Sequence, residues 1–176
     1  MLSFTIEDGT GGDARRTVVT KPTMEIDSGT IKQLVLLLWA LWLTLVVVLN
    51  LCDGLKGFGR LPASFKFAST NFTSIVQVTS IYSTPRWLAW FLFAGAVMWE
   101  ALAAGLLWRA FFLGASMAAV NVAFFVALGL WGAFILVDEF FLTFITESSG
   151  GYSLAATHRS IFTSFLVSLI ALHILR

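Results

Sequence analysis

Residues 33–52 read QLVLLLWALWLTLVVVLNLC, a run with no aspartate, glutamate, lysine or arginine. A helix crossing a hydrocarbon layer about 30 Å thick needs roughly 20 mainly apolar residues at about 1.5 Å each, and this run meets that length. Three further stretches do so: residues 87–108 (WLAWFLFAGAVMWEALAAGLLW), 115–137 (ASMAAVNVAFFVALGLWGAFILV) and 154–175 (LAATHRSIFTSFLVSLIALHIL). The last reaches full length only if the helix begins behind Ser153, an N-cap following Gly150 and Gly151, which places His158 and Arg159 in its first turns.

Composition agrees with the four runs. Hydrophobic residues make up 58% of the 176 residues and charged residues 12%, with a mean hydropathy of +0.87. That leaves too little polar surface to clothe a water-soluble domain, where about a quarter of residues are charged. The expected fold is an all-α integral membrane four-helix bundle over residues 31–176, preceded by a polar N-terminal tail at residues 1–30. No basic stripe interleaved with aromatics is present, so nucleic acid is not an expected partner; the lipid bilayer is. Cys52 has no second cysteine to pair with inside the chain. The early acids Glu7, Asp8 and Asp13 do not fit a cleaved signal peptide.

Orientation rests on a small asymmetry. With the amino terminus in the cytoplasm, that side carries Arg15, Arg16, Lys21, Lys32, Arg109 and Arg176 against Lys56, Arg60, Lys66, Arg86 and Arg159 outside. The balance favours both termini inside, in a bacterial inner membrane, with the Asn71-Phe72-Thr73 sequon facing outward. The tail is glycine-rich and has no apolar core of its own, so it is expected to dock on other membrane protein subunits. The connection from Asp53 to Arg86 is too long to be structureless and holds Phe58, Phe65, Phe72, Ile75 and Ile81, which predicts one or two short interfacial helices.

Chemistry is expected from polar residues at membrane depth, where ionisable groups are costly and usually paired or functional. Glu100 lies about 12 Å below the Trp108 end of its run at ~1.5 Å per residue. It shares a face with Ala96, Ala103 and Ala104, small residues that let helices approach, and should point into protein as a protonated carboxyl donating one hydrogen bond. In the third run Gly114, Asn121, Gly132 and Glu139 fall on one face, and Ala127 and Asp138 on another. Asn121 and Gly132 read as a packing seam. Asp138, Glu139 and Glu147 come to the membrane side that holds His158 and Arg159, and an ion-pair cluster tying the third helix to the fourth is expected there. His158 and His173 sit about 22 Å apart at ~1.5 Å per residue and cannot share one haem iron. No catalytic triad, zinc spacing or phosphate-binding glycine loop is visible. The seven tryptophans read as interfacial anchors, Trp87 and Trp108 above all, and as packing surface open to lipid or pigment.

Asn50 closing the first run, Glu100 before the small residues that lead to Trp108-Arg109, the stretch WGAFILVDEFF at 131–141 and His158-Arg159-Ser160-Ile161-Phe162 together resemble a bacterial family of small four-helix integral membrane proteins with no established activity. The resemblance spans residues 33–175 and implies the same architecture, with Glu100, Glu139 and Arg159 as residues of weight. Where that family has Gly-Glu-Trp and Trp-Asn-Gly-Gln, this chain has Val137-Asp138-Glu139-Phe140 and Gly150-Gly151-Tyr152-Ser153. The function expected from all of this is a non-catalytic accessory subunit of a larger membrane complex, such as an electron-transfer or photosynthetic assembly. The alternatives are a proton- or solute-handling transporter using Glu100, and a membrane enzyme with Asp138, Glu139 and His158 at an interfacial site.

Overall fold

The computed structural model describes residues 27–141 and 153–175. Five helices form: α1 (Ser28–Gly57), α2 (Asn71–Ser80), α3 (Arg86–Phe112), α4 (Met117–Phe140) and α5 (Leu154–Ile174), with no strand among the described residues. All but α2 are long and apolar enough to cross a membrane. The predicted spans stand with shifted ends. α1 is 30 residues long and overruns the expected 33–52 at both ends, because a helix does not stop where the apolar run stops: Ile31, Lys32, Leu55 and Lys56 carry it on, across glycines that each cost about 1 kcal/mol. The tail boundary therefore falls at Asp27, not residue 30; residues 1–26, with the docking expected of them, lie outside the described residues.

The third span starts at Met117, not at Ala115. α3 ends in a Schellman motif: Gly114 takes φ +65°, its N–H donates to Phe111 O, and Ala115 N–H donates to Ala110 O. Ala115 follows with φ +59°, which no helix accommodates. Ser153 caps α5 as expected, its hydroxyl accepting from Ala156 N at 3.2 Å.

Packing runs in the order α1 on α3, α3 on α4 and α4 on α5. Near the α3–α4 turn the contact is made by small side chains, Ala103, Ala104 and Ala110 facing Ala119, Ala123 and Ala127, all buried. Such residues let backbones come close enough for dispersion forces to hold helices together where no hydrophobic effect operates between them. α1 and α5 have little direct backbone contact, and rings bridge the space: Trp39 stacks on Phe165 at 3.9 Å and its indole donates to Ser168 Oγ at 3.0 Å, while Trp42 meets Phe165 edge-on at 6.4 Å. In the half away from the turn α3 and α4 also carry large rings, Phe93, Trp99, Trp131 and Phe134.

One short helix, α2, fills the long connection. It packs on α3 and α1, with Phe72 buried beneath Trp90 at 3.9 Å and beside Phe93 at 5.4 Å. Ser69 N donates to Leu49 O, so the chain descends to about 12 Å inside the Gly57 end of α1, at ~1.5 Å per residue, before α2 begins. Irregular backbone at that depth survives only where protein surrounds it. The close approach needs Gly57, where a Cβ would lie 3.0 Å from both Phe72 and Trp90. Gly57→Val should therefore push α2 outward and speed tryptic cleavage at exposed Lys66 by roughly threefold or more, whereas Gly105→Ala, in open space, should leave the rate unchanged.

Candidate functional site

Glu100 is 2% exposed, and the helix that meets its face is α1. Asn50 Nδ2 donates to Glu100 Oε2 at 2.7 Å. The carboxyl thus accepts a hydrogen bond, where the sequence predicted it to donate one, because the neighbour that packing supplies is an amide. Asn50 is turned this way by two donors on its other side, Ser69 Oγ at 2.7 Å and Asn71 Nδ2 at 2.8 Å, which both reach Asn50 Oδ1. One turn along the same face of α1, buried Asp53 accepts from Phe72 N at 2.8 Å and lies 3.1 Å from Ser69 Oγ, whose single proton it shares with the closer Asn50 Oδ1. Its carboxylate therefore satisfies an orphan N–H at the positive end of α2. Four elements, α1, the descending loop, α2 and α3, are joined by this set of bonds. Asn71, the first residue of the sequon, spends its side-chain amide in this set of bonds.

Glu100 also borders a cavity of about 450 Å³. Its walls are largely apolar and aromatic, with Trp42, Trp99, Trp131, Phe93 and Phe134 among them, and its rim includes the exposed Phe91 and Val137 on the outer sides of α3 and α4. The opening therefore faces the region where lipid chains run. Glu100 Oε1 has no hydrogen-bond partner among the described residues. The buried Trp131 Nε1 has none either.

A second polar station lies on the same cavity. His158 Nδ1 and Asp138 Oδ2 are 2.7 Å apart, joining α5 to α4, and the imidazole is stacked on Phe134 at 4.9 Å. With Nδ1 engaged by the carboxylate and the ring fixed by stacking, His158 keeps Nε2 without a partner among the described residues. The neighbouring pair, Arg159 Nη2 and Glu139 Oε1 at 2.5 Å, sits outside the cavity with both side chains more than half exposed. The ion-pair tie between α4 and α5 is thus present in two parts that do different things: consecutive residues on a helix point about 100° apart, so Asp138 turns inward and Glu139 outward. An interfacial site using Asp138, Glu139 and His158 together is not formed. Glu147 lies outside the described residues. An exposed pair such as Arg159–Glu139 adds about 0–1 kcal/mol.

Asn121 and Gly132 lie on the α4–α5 seam as expected, Asn121 Oδ1 2.8 Å from His173 Nε2 and Gly132 against Phe162. Asn121 is absent from the cavity lining. Trp108 donates to Thr44 Oγ1 at 3.0 Å, a helix-to-helix bond, whereas Trp87 is 66% exposed as an anchor would be. No group of three metal-ligating side chains occurs among the described residues. Sequence reasoning passed over Asp53, Ser69 and Asn71 as site residues, and read Asn50 only as the close of a helix. The signal for the first was the i, i+3 spacing of Asn50 and Asp53, two polar residues on one face of an apolar helix.

Fold and site together define an all-α, multi-pass membrane protein with an acid-bearing cavity inside its bundle. Comparison of the chain with protein-family models, curated proteins and solved structures gives no match.

Thermal unfolding in detergent should rank three substitutions. Glu100→Gln keeps an acceptor for Asn50 at nearly the same volume and should cost less than about 1 kcal/mol. Glu100→Leu leaves the buried Asn50 amide unsatisfied and should cost about 1–3 kcal/mol. Asn50→Ala strands partners on three elements and should cost at least as much as Glu100→Leu. Equal losses for the Gln and Leu variants would show that this bond does not hold the helices.

Proposed function

We propose that this protein binds a lipophilic small molecule that enters its intramembrane cavity from the bilayer, with Glu100 and Asn50 as the polar anchor and aromatic rings as walls. The observation that carries the reading is a carboxyl group 2% exposed with one oxygen unpartnered on the wall of a cavity of about 450 Å³. Ligand cavities in proteins run from about 300 to 1,000 Å³, mostly apolar with a few placed polar groups. An intramembrane carboxyl that only braced two helices would have no need of such a space beside it. Trp131 lines the same wall with its ring.

The role is binding or transfer of the ligand, which favours solute handling through Glu100 over a purely structural subunit. Membership of a larger membrane complex is compatible with it, and its support is the polar tail, nearly all of which lies outside the described residues.

The test is calorimetric titration of uncharged triphenylmethanol into the protein in lipid nanodiscs, with empty nanodiscs subtracted. Saturable binding of one molecule per protein is expected. Gly95 lines the cavity and a Cβ there would meet nothing within 4 Å, so a side chain can start at that position, and Gly95→Phe should narrow the space and weaken binding by roughly tenfold or more. Binding that does not saturate, or that Gly95→Phe leaves unchanged, would overturn the proposal.

A further inference from the structure

Three ionisable side chains line the cavity, Glu100, Asp138 and His158, and no lysine or arginine joins them among the described residues. Asp138 has a partner in His158. Glu100 has a neutral amide on one oxygen and no protein cation within salt-bridge reach among the described residues. A carboxylate cannot stay charged and unpaired in such surroundings, so its counter-charge must be either a proton or a cation that arrives from outside. The walls suit the second. Trp42, Trp99 and Trp131 present indole rings to the same space, and the faces of such rings attract cations within about 6 Å of their centroids. An anion finds no lysine or arginine among the described lining residues: the ionisable groups are two carboxyls and one histidine, beside amides, hydroxyls and aromatic rings.

Resting on the reading of the cavity as a ligand site, we infer that its ligand is a lipophilic organic cation, paired with the Glu100 carboxylate in place of a proton. The exchange balances: the carboxyl gives up its proton to water as the cation docks, and takes one back when the cation leaves. Asn50 is the positioning residue, since its amide holds Oε2 and leaves Oε1 towards the cavity. The ionisable groups that share the cavity with Glu100 are Asp138 on α4 and His158 on α5; Asp53 on α1 lies one turn from Asn50 and is engaged by Phe72 N, and α2 has no ionisable side chain. His158 is the one base among them, so its part and that of Glu100 in any pH dependence must be separated by substitution.

The probes are tetraphenylphosphonium and tetraphenylborate, nearly identical in shape and opposite in charge, titrated into wild-type protein in nanodiscs beside uncharged triphenylmethanol. Tetraphenylphosphonium is expected to bind on the order of a hundredfold more tightly than tetraphenylborate, since an unscreened charge in a low-dielectric cavity acts strongly. Its affinity should fall as pH falls, by up to about tenfold per pH unit, the limit for one proton displaced per cation, with proton release seen as a buffer-dependent heat. His158→Gln should keep that pH dependence. Glu100→Gln should abolish it and the charge preference while still binding triphenylmethanol, which shows that the cavity is intact. Equal binding of the two ions, or pH dependence that survives Glu100→Gln, overturns the inference. Binding of triphenylmethanol without tetraphenylphosphonium overturns it and leaves the cavity reading standing; saturable binding of none of the three removes both.

Discussion

The hydrogen bond from Asn50 to Glu100 is the constraint on which the rest of this structure depends. In water such a bond would contribute little, because both groups could turn to solvent. Inside an apolar bundle neither can, and each must keep the other as a neighbour. That requirement fixes the register of α1 against α3, the most extensive helix contact in the fold. It also orients the Asn50 amide, and through the remaining oxygen draws Ser69 and Asn71 down to the same level. The descent of the chain between α1 and α2, which would be costly in lipid, is compensated by these bonds and by the backbone bond from Ser69 to Leu49.

A fold held in this manner is tight at one end and open at the other. Buried alanines lie near the α3–α4 turn, and tryptophan and phenylalanine line the space further along. Rings fill part of the resulting space, with Trp39, Trp42, Phe124 and Phe165 forming a continuous aromatic layer. Beyond that layer the space stays open, and the polar stations on its walls come from opposite sides of the bundle: Asn50 and Glu100 from α1 and α3, Asp138 and His158 from α4 and α5. The placement is economical in elements, since each station also ties two helices together.

Much of this was legible in the residues. Bilayer thickness sets a length of about 20 apolar residues for a crossing helix, and four stretches meet it, so the number of spans follows from solvent physics. The Ser153 cap follows from the need to satisfy free N–H groups at a helix start. The inward direction of Glu100 follows from its alanine-rich face. The separation of Asp138 from Glu139 was present in the helical-wheel angles, yet their adjacency in sequence invited a single cluster; periodicity, not proximity, was the better guide.

What only the tertiary structure decided is who meets whom. Asn50 and Glu100 are far apart along the chain, and nothing in either helix names the other, because the match depends on how α2 and its loop fold back between them. The cavity is less legible still. An empty volume is the difference between the space that helix axes enclose and the side chains that enter it from several helices at once. A sequence states the second quantity residue by residue, but the first exists only once the helices have packed.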